Sequence, residues 1–371
     1  MFDPALAFAA GLFALQAGSL GLAYFKCRSK TLVPHVHEGV SLVRPVCGLE
    51  SHIEETLSSS FRQSHTSYEI IFCVANENDP SMPLLRNLIS RNTNVEARIL
   101  VGETRLSQNP KLNNMAKGWG AARHNLIVFS DSNLLLEPDY CSRIENAFSD
   151  SRVAVVSSPP VGDHAEGFWG EVECAMLNTH AARWQFAAAA AGLNFAQGKT
   201  LAFRKDAFSG DLMHALASEP AEDAAATKLV RANGRKLQVL APPFVHPVGR
   251  RSARAFWDRH VRWARLRRAT FPMVFALEAI CGVFPVLLLL ALSSTFSLVE
   301  FFAVMTSTIA LWYSAEFALA CSLGWRVNKW FLPACLMRDA MLPVFYVAAW
   351  KDGRFEWRGT KMDSAAKQSA I

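Results

Sequence analysis

The chain of 371 residues is 51% hydrophobic and 19% charged, with a formal net charge of +6. This composition is too apolar for an ordinary soluble enzyme and too charged for a bundle made only of membrane helices, so it indicates a soluble domain of about 240 residues joined to a few spanning helices. Many of the arginines are concentrated in residues 249–270, directly before an apolar segment. That position favours anionic lipid headgroups over nucleic acid as their partner.

Residues 1–26 are predicted to form an N-terminal transmembrane anchor. The stretch from Pro4 to Phe25 carries no charge and is long enough to cross about 30 Å of hydrocarbon. Lysine and arginine residues follow it at once, whereas a signal peptide carries its positive charge in front and a cleavage site behind. The pattern therefore indicates an uncleaved anchor whose carboxyl end faces the cytoplasm. A buried core helix is the alternative.

Residues 38–248 are predicted to form one Rossmann-like α/β domain with a mostly parallel sheet. Short apolar strand candidates alternate with helical stretches, which is the pattern of a sheet covered by helices on both faces. The strand candidates are residues 40–43, 68–74, 97–101, 125–129, 153–156 and 236–240. Ligands of such sheets bind beyond the carboxyl ends of the strands, and Asp79 and Asp131 each lie just after a strand candidate.

The remainder of the chain is predicted to lie at and in the membrane. Residues 249–271 are expected to form an amphipathic interfacial helix, and residues 272–350 to form C-terminal membrane helices. The apolar segments are residues 272–293, 298–319 and 331–350. Because charges at membrane depth are costly, Arg338 and Asp339 predict that the last segment is broken, tilted or re-entrant. Residues 351–371 are predicted to be a polar tail.

Asp131 and Asn133 stand in a D-x-N pattern directly after a predicted strand. A D-x-D pattern holds a divalent cation that bridges a nucleotide diphosphate, because hard cations prefer oxygen ligands. Asn133 offers an amide oxygen without charge, so Asp131 is expected to carry most of the interaction with Mg²⁺ or Mn²⁺. Asp79 is a candidate for hydrogen bonds to the base or ribose of a nucleotide. The alternatives are an Asx turn at Asp131 and a turn or helix cap at Asp79.

Asp223 and a downstream arginine–tryptophan run supply candidate catalytic groups. Asp223 follows Glu222 at the start of a predicted helix, where it can act as the general base for an attacking hydroxyl, although the helix dipole alone also favours an acidic pair there. Arg259, Arg262 and Trp263 belong to the run R-H-V-R-W. The arginines can neutralise a departing diphosphate, and the tryptophan can line an acceptor site. The alternative is a helix that arginine and tryptophan anchor in the membrane interface.

Several segments together resemble the ceramide glucosyltransferases, which form glycosyltransferase family 21. Residues 109–114, N-P-K-L-N-N, are close to the family's N-P-K-x-N-N segment. Residues 44–50, R-P-V-C-G-L-E, resemble its K-P-L-K-G-x-D entry, and residues 204–206 match its R-K-D. The run at 259–263 matches its (Q/R)-x-x-R-W motif, and the spaced aspartates match as well. The resemblance covers about residues 40–270 and implies a GT-A fold for the catalytic domain.

The resemblance also implies a role for each matching residue. Asp79 would contact the uridine of the donor, Asp131 would contact its ribose, its diphosphate and the metal, and Asp223 would be the base. The residues that would close the site are Arg259, Arg262 and Trp263.

The nucleotide-sugar pocket would be lined by residues of the entry and of the N-P-K segment. These residues are Arg44, Pro45, Gly48, Lys111 and Asn113. Two positions in or next to this pocket differ from the family pattern: Arg44 replaces a lysine, and Glu50 replaces an aspartate. These changes are expected to alter the pocket slightly, and Asn133 leaves the metal dependence open.

These residues predict a membrane-bound inverting glycosyltransferase. It would transfer a hexose, with glucose favoured, from a UDP-sugar to the primary hydroxyl of a membrane lipid, with ceramide favoured, at the cytoplasmic face of a bacterial inner membrane. The sequence leaves open the oligomeric state, another donor (GlcNAc, galactose or glucuronic acid) and another acceptor (diacylglycerol or a hopanoid). A processive polysaccharide synthase is disfavoured, because it usually needs more spanning helices. A catalytically decayed, membrane-anchored binding protein is the alternative of a different class.

Overall fold

A computed structural model describes residues 3–29, 38–208, 210–293, 295–351, 353–357 and 359–363 of the chain. The chain folds into two compact units, each assembled from separate stretches of sequence. The sheet unit consists of Ser29–Val161, Asn194–Pro247 and Arg354–Ile371. The membrane unit consists of Met1–Arg28, Gly162–Leu193 and Val248–Gly353.

The strands are mostly parallel. They are β1 (Val40–Val46), β2 (Tyr68–Val74), β3 (Glu96–Val101), β4 (Leu126–Ser130), β5 (Val153–Ser157), β6 (Pro160–Glu166), β7 (Thr200–Arg204), β8 (Lys236–Val239), β9 (Phe244–Arg250), β10 (Arg354–Trp357) and β11 (Thr360–Asp363). The central sheet has the order β3-β2-β1-β4-β7-β5-β8, while β6 pairs with β9 and β10 with β11. Within the central sheet only β7 runs antiparallel to its neighbours β4 and β5. The predicted α/β class with a mostly parallel sheet is therefore confirmed.

Helices connect the strands of the sheet unit and make up most of the membrane unit. They are α1 (Pro4–Arg28), α2 (Ile53–Ser58), α3 (Met82–Arg91), α4 (Pro110–Ala121), α5 (Tyr140–Ala147), α6 (Gly167–Ala175), α7 (Arg183–Ala190), α8 (Leu212–Leu216), α9 (Glu222–Ala232), α10 (Ala253–Thr270), α11 (Pro272–Leu277), α12 (Val283–Leu292), α13 (Leu298–Ser322) and α14 (Phe331–Lys351). A π-helical turn, Met176–Ala182, joins α6 to α7. Short 3₁₀ turns cover Ser59–Arg62, Lys205–Ala207 and Glu278–Ile280.

The centre of the sheet is buried on both faces. Every residue of β1, β4 and β5 is buried, Ser41 and Arg44 of β1 included, as expected for central strands of a sheet that helices cover on both faces. Leu42, Ile70 and Val128 of neighbouring strands share one core with Leu85 of α3 and Ile144 of α5. This packing holds β1, β2 and β4 in register, so their carboxyl ends open onto the same edge of the sheet.

Apolar helices long enough to cross a membrane lie where the sequence predicts membrane segments. Among the described residues, three helices have this length and composition, namely α1, α13 and α14. A fourth candidate is the pair Pro272–Ile280 and Val283–Leu292, which is bent by 58°. The predicted N-terminal and C-terminal membrane helices are therefore confirmed by length and composition.

The bend in the membrane helices lies outside the segment that contains Arg338 and Asp339, which was predicted to be broken, tilted or re-entrant. The helix α14 runs without interruption through Arg338 and Asp339, and the break lies instead in the segment 272–293. The charges of α14 are tolerated because they are paired within the membrane unit. The guanidinium of Arg338 lies 2.9 Å from Glu316 and 2.8 Å from Asp339, and all three side chains are almost fully buried. Asp339 also accepts a hydrogen bond at 3.1 Å from the amide of Val283, where the bent pair resumes.

The boundaries of the units differ from the predicted domain boundaries at two places. Residues 162–193, which the sequence places inside the catalytic domain 38–248, belong to the membrane unit. There Arg183 of α7 donates at 2.5 Å to Gln16 and to Ser19 of α1. The predicted polar tail contains the hairpin β10–β11, which belongs to the sheet unit.

Replacing Arg338 by methionine is expected to destabilise the membrane unit, because Glu316 and Asp339 would keep buried charges without their shared partner. Breaking a buried ion pair from one side costs about 3–5 kcal/mol. Thermal unfolding of the detergent-solubilised protein should show a clearly lowered midpoint. Lys329→Met is the matched control, because Lys329 is exposed just ahead of α14, and its midpoint should stay close to that of the wild type. Equal midpoints for the two variants would contradict this account.

Candidate active site

Asp131 lies directly after β4 on a backbone that a buried arginine holds in place. The guanidinium of Arg44 donates to the carbonyls of Asp131 at 2.8 Å and Leu134 at 2.9 Å, and to the hydroxyl of Ser60 at 2.8 Å. Burial lowers the pKa of Arg44 to about 10, so it remains charged at neutral pH. Arg44 was predicted to line the nucleotide-sugar pocket, and the structure buries its side chain completely. Its contribution to the site is to position the Asp131 loop.

Lys111 connects the Asp131 loop to the start of α9. Its ammonium lies 2.7 Å from Asp131 and 2.7 Å from Glu222, and it donates to the carbonyl of Gly198 at 2.6 Å. Asn109 sets the geometry, because its side chain caps α4 at the amide of Lys111 and also donates to Glu222 at 2.8 Å. Burial by itself would lower the pKa of Lys111, but the two carboxylates outweigh burial and raise it.

Asp131 remains ionised in this environment. Burial alone would raise its pKa, but the charges of Lys111 and Lys199 outweigh burial and hold the pKa below its ordinary value. The ammonium of Lys199 lies 3.5 Å from the Asp131 carboxylate. The carboxylate of Asp131 is therefore a negative charge held between two lysines.

Asp223 occupies the first turn of α9 beside this cluster. Its carboxylate accepts hydrogen bonds from the amides of Gly198 at 2.9 Å and Ala224 at 2.8 Å. Burial and the adjacent charge of Glu222 raise its pKa to about 6 despite the opposing charge of Lys111. A carboxylate with this pKa is largely deprotonated at neutral pH and still basic enough to accept a proton from a hydroxyl in a transition state. Asp223 thus has the properties of a general base.

The side-chain oxygens of Asn133 and Asp131 both face the ammonium of Lys199. The amide oxygen of Asn133 accepts a hydrogen bond from the ammonium of Lys199, which also faces Asp131. The amide nitrogen of Asn133 donates at 2.5 Å to Glu50. No group of three or more His, Cys, Asp or Glu side chains within the described part of the chain is arranged to hold a metal. The two oxygens fit a cation that takes its remaining ligands from water and a diphosphate, as Mg²⁺ commonly does.

Asp79, in the loop after β2, accepts hydrogen bonds from the segment of residues 44–50. Its two carboxylate oxygens both lie 3.0 Å from the amide of Gly48, and one accepts from the amide of Ser81 at 2.8 Å. Gly48 has a φ of +70°, a conformation that side chains disfavour. Asn113 likewise shapes its own loop, accepting from the amide of Leu106 at 2.9 Å. Asp79, Gly48 and Asn113 therefore fix the loops around the candidate site.

A cavity of about 160 Å³ opens beside Asp131 in the sheet unit. It is lined by Pro45, Val46, Cys47, Ala75, Glu103, Pro110, Lys111, Asn114, Asp131, Ser132, Asn133, Trp357 and Thr360. Sequence reasoning missed Trp357 and Thr360, because residues 351–371 read as a polar tail. The run F-E-W before the turn at Gly359 was the available signal of a hairpin. Sequence reasoning also did not predict that Glu222 contacts Lys111 or that Lys199 contacts Asp131.

The arginine–tryptophan run belongs to the membrane unit and is organised there by a buried glutamate. Glu173 of α6 has no exposed surface and lies 3.0 Å from Arg259 and 3.1 Å from His260 of α10. The imidazole of His260 packs edge-on against the ring of Trp263 with centroids 5.1 Å apart. Arg262 is half-buried on the same helix. No sequence pattern pointed to Glu173. The predicted residues thus fall into two groups, the aspartate and lysine cluster of the sheet unit and this helix of the membrane unit.

The chain is similar to known proteins over most of its length. The model described as Glycosyl transferase family 21 matches residues 6–370. Ceramide glucosyltransferase 3 of Caenorhabditis elegans is 23% identical over 94% of this chain and 77% of that protein. Ceramide glucosyltransferase 1 of the same organism is 28% identical over 65% of this chain, and the match spans 52% of that protein's length.

A solved structure shares the fold. The mannosyltransferase PcManGT from Pyrobaculum calidifontis, determined in complex with GDP-Man and Mn²⁺, is 16% identical, with a TM-score of 0.54 over 91% of this chain and 99% of that one. At this identity the similarity concerns the fold, and it confirms the expected GT-A type. Because the family model matches nearly the whole chain, the protein belongs to glycosyl transferase family 21.

Proposed function

We propose that this protein is an inverting glycosyltransferase that moves a hexose from a UDP-sugar to the primary hydroxyl of a membrane lipid, with glucose as the sugar and ceramide as the acceptor. The observation that carries the proposal is the cluster of Asp223, Glu222, Lys111 and Asp131, in which a buried carboxyl of raised pKa lies beside an ion-paired lysine, and Lys111 and Asp131 line a cavity of about 160 Å³. Family membership and the names of the relatives support it.

The chemistry follows from the different environments of the two aspartates. Asp223 takes the proton from the acceptor hydroxyl as its oxygen bonds to the anomeric carbon and the bond to the UDP oxygen breaks in line. Lys111 and Lys199 place positive charge beside the departing diphosphate. Asp131 and Asn133 would hold Mg²⁺ or Mn²⁺, which when bound offsets the charge of the diphosphate. The resemblance assigns Arg259, Arg262 and Trp263 to the same step.

The lipid nature of the acceptor is supported by the membrane unit and by the relatives named ceramide glucosyltransferases. Arginines near the apolar helices favour a cytoplasmic location of the transferase reaction, which we place in a bacterial inner membrane. Other donors and other lipids, namely GlcNAc, galactose or glucuronic acid and diacylglycerol or a hopanoid, are outcomes of the same assay. The decayed binding protein is disfavoured, because Asp223, Glu222, Lys111 and Asp131 keep ionisable side chains in one connected cluster.

Purified protein is expected to transfer radiolabelled glucose from UDP-glucose into ceramide. Asp223→Asn should lower the rate by about 10²-fold to 10⁴-fold, because the general base is lost. A panel of UDP-sugars with ceramide, diacylglycerol and hopanoid acceptors identifies both substrates. Label in another lipid alone would discard ceramide and keep the mechanism. Binding of UDP-sugars without transfer into any lipid would revive the binding-protein interpretation.

The rate should fall as the pH drops through about 6, because protonation of Asp223 removes the base. The profile of kcat/KM against pH reports this group in the free enzyme. Glu222→Gln removes the neighbouring negative charge that raises the pKa of Asp223, so the midpoint of the profile should move to lower pH. A rate that stays constant down to about pH 5 would show that Asp223 is not the titrating base.

Gly198→Ala is expected to lower kcat by at least about tenfold while the protein stays folded. A Cβ at this position would lie 2.8 Å from Glu222 and 3.1 Å from Lys111, so it would push the ion pair apart beside Asp223. Gly120→Ala is the matched control, since a Cβ there has no heavy atom within 4 Å. Steady-state kinetics and thermal unfolding of both variants separate a local effect from misfolding. Unchanged kinetics of Gly198→Ala would contradict a tightly packed site.

A further inference from the structure

Lys199 is a cation built into the site that Asp131 and Asn133 form. Its ammonium bonds the amide oxygen of Asn133 and lies 3.5 Å from the carboxylate of Asp131, with only 13% of the side chain exposed. The two oxygens assigned to a divalent cation therefore already face a positive charge. Glu50 holds the other end of the Asn133 amide, which keeps its oxygen turned toward the lysine.

The backbone gives Lys199 little freedom to leave this position. Its carbonyl accepts a hydrogen bond at 3.0 Å from the amide of Asp131, immediately before β7 pairs with β4. The lysine is therefore anchored beside the D-x-N segment, and only its side chain can move. A divalent cation that approaches these oxygens meets one carboxylate whose charge is already offset, together with the repulsion of a nearby ammonium.

A bound diphosphate changes the distribution of charge around these oxygens. Phosphate oxygens accept strong charge-assisted hydrogen bonds from lysine, and Mg²⁺ is typically bound by one or two carboxylates together with substrate phosphates. When a diphosphate enters the cavity beside Asp131, the ammonium of Lys199 can transfer its hydrogen bonds to it. The carboxylate oxygen of Asp131 that faces Lys199 and the amide oxygen of Asn133 then become available to a metal ion, while Lys111 keeps its contact with the other carboxylate oxygen of Asp131.

We propose that Lys199 blocks the cation site until the diphosphate of the donor takes over its ammonium, so that cation and nucleotide bind together and not the cation first. This rests on the proposed use of a nucleotide-sugar donor. Asn133 contributes to this arrangement, because its amide is neutral and Lys199 therefore meets only one negative charge, that of Asp131, at these two oxygens. The consequence is a positive coupling between Mn²⁺ and UDP that depends on the charge of residue 199.

The test is titration of the full-length, detergent-solubilised protein with Mn²⁺, followed by electron paramagnetic resonance, without and with saturating UDP. The wild type should bind Mn²⁺ at least about tenfold more tightly when UDP is present. Lys199→Met should bind Mn²⁺ without UDP about tenfold more tightly than the wild type, so its coupling should shrink. Lys199→Arg, which keeps the charge, should retain the coupling.

Two controls assign the effect to this site. Lys205→Met removes a lysine from the opposite end of β7 and should leave the coupling as in the wild type. Asp131→Asn added to Lys199→Met should abolish the gained Mn²⁺ binding. The proposal is overturned if Lys199→Met binds Mn²⁺ no more tightly than the wild type, or if UDP does not affect Mn²⁺ binding to the wild type. Intact coupling without sugar transfer would refute the proposed function alone, whereas transfer without coupling would refute only the role of Lys199.

Discussion

The site of this protein depends on one buried lysine. Lys111, in the first turn of α4, joins the end of β4, the segment before β7 and the start of α9 through contacts with Asp131, Gly198 and Glu222. A buried ammonium is costly unless carboxylates surround it, and each of these carboxylates is equally costly without it. The three segments therefore hold one another in place, and the sheet unit has one favourable arrangement of its catalytic edge.

The same network gives two aspartates opposite properties. Asp131 faces two lysines and keeps a lowered pKa, whereas Asp223, which faces Glu222 at the start of α9, has a pKa near 6. Environments that push the pKa values of neighbouring carboxyl groups apart favour a division of roles between them, and the proposed mechanism, in which Asp223 is the base, uses such a division. The division does not come from the residue type, since both are aspartates, but from which charged side chains the fold places beside each.

The membrane unit also contains buried charges, and they too are stabilised by oppositely charged partners. Arg338 is enclosed by Glu316 and Asp339, and Glu173 gathers Arg259 and His260 onto one carboxylate. These contacts restrict the orientation of Arg338, because a guanidinium with two carboxylate partners has few alternative rotamers. A charge that hydropathy marks as an interruption of a helix can therefore be part of its packing, as in α14, which is continuous through Arg338 and Asp339.

The sequence by itself determined the features that depend on local pattern: apolar runs predicted the sheet and membrane helices, and motif matches predicted the family. The same motifs predicted Asp131, Asp223 and the arginine–tryptophan run as candidate site residues. The relations between residues distant in the chain were decided only by the tertiary structure. Lys111 meets Glu222, and Trp357 reaches the cavity beside Asp131, because strands and helices from separate stretches share one sheet edge. Residues 162–193 pass to the membrane unit for the same reason, since Arg183 finds its partners on α1 and not on the sheet. Periodicity indicates which face of a helix or strand is apolar. The partner of a charged side chain depends on burial and on nearby charges in the folded protein, so the spacing of residues along the chain does not predict it.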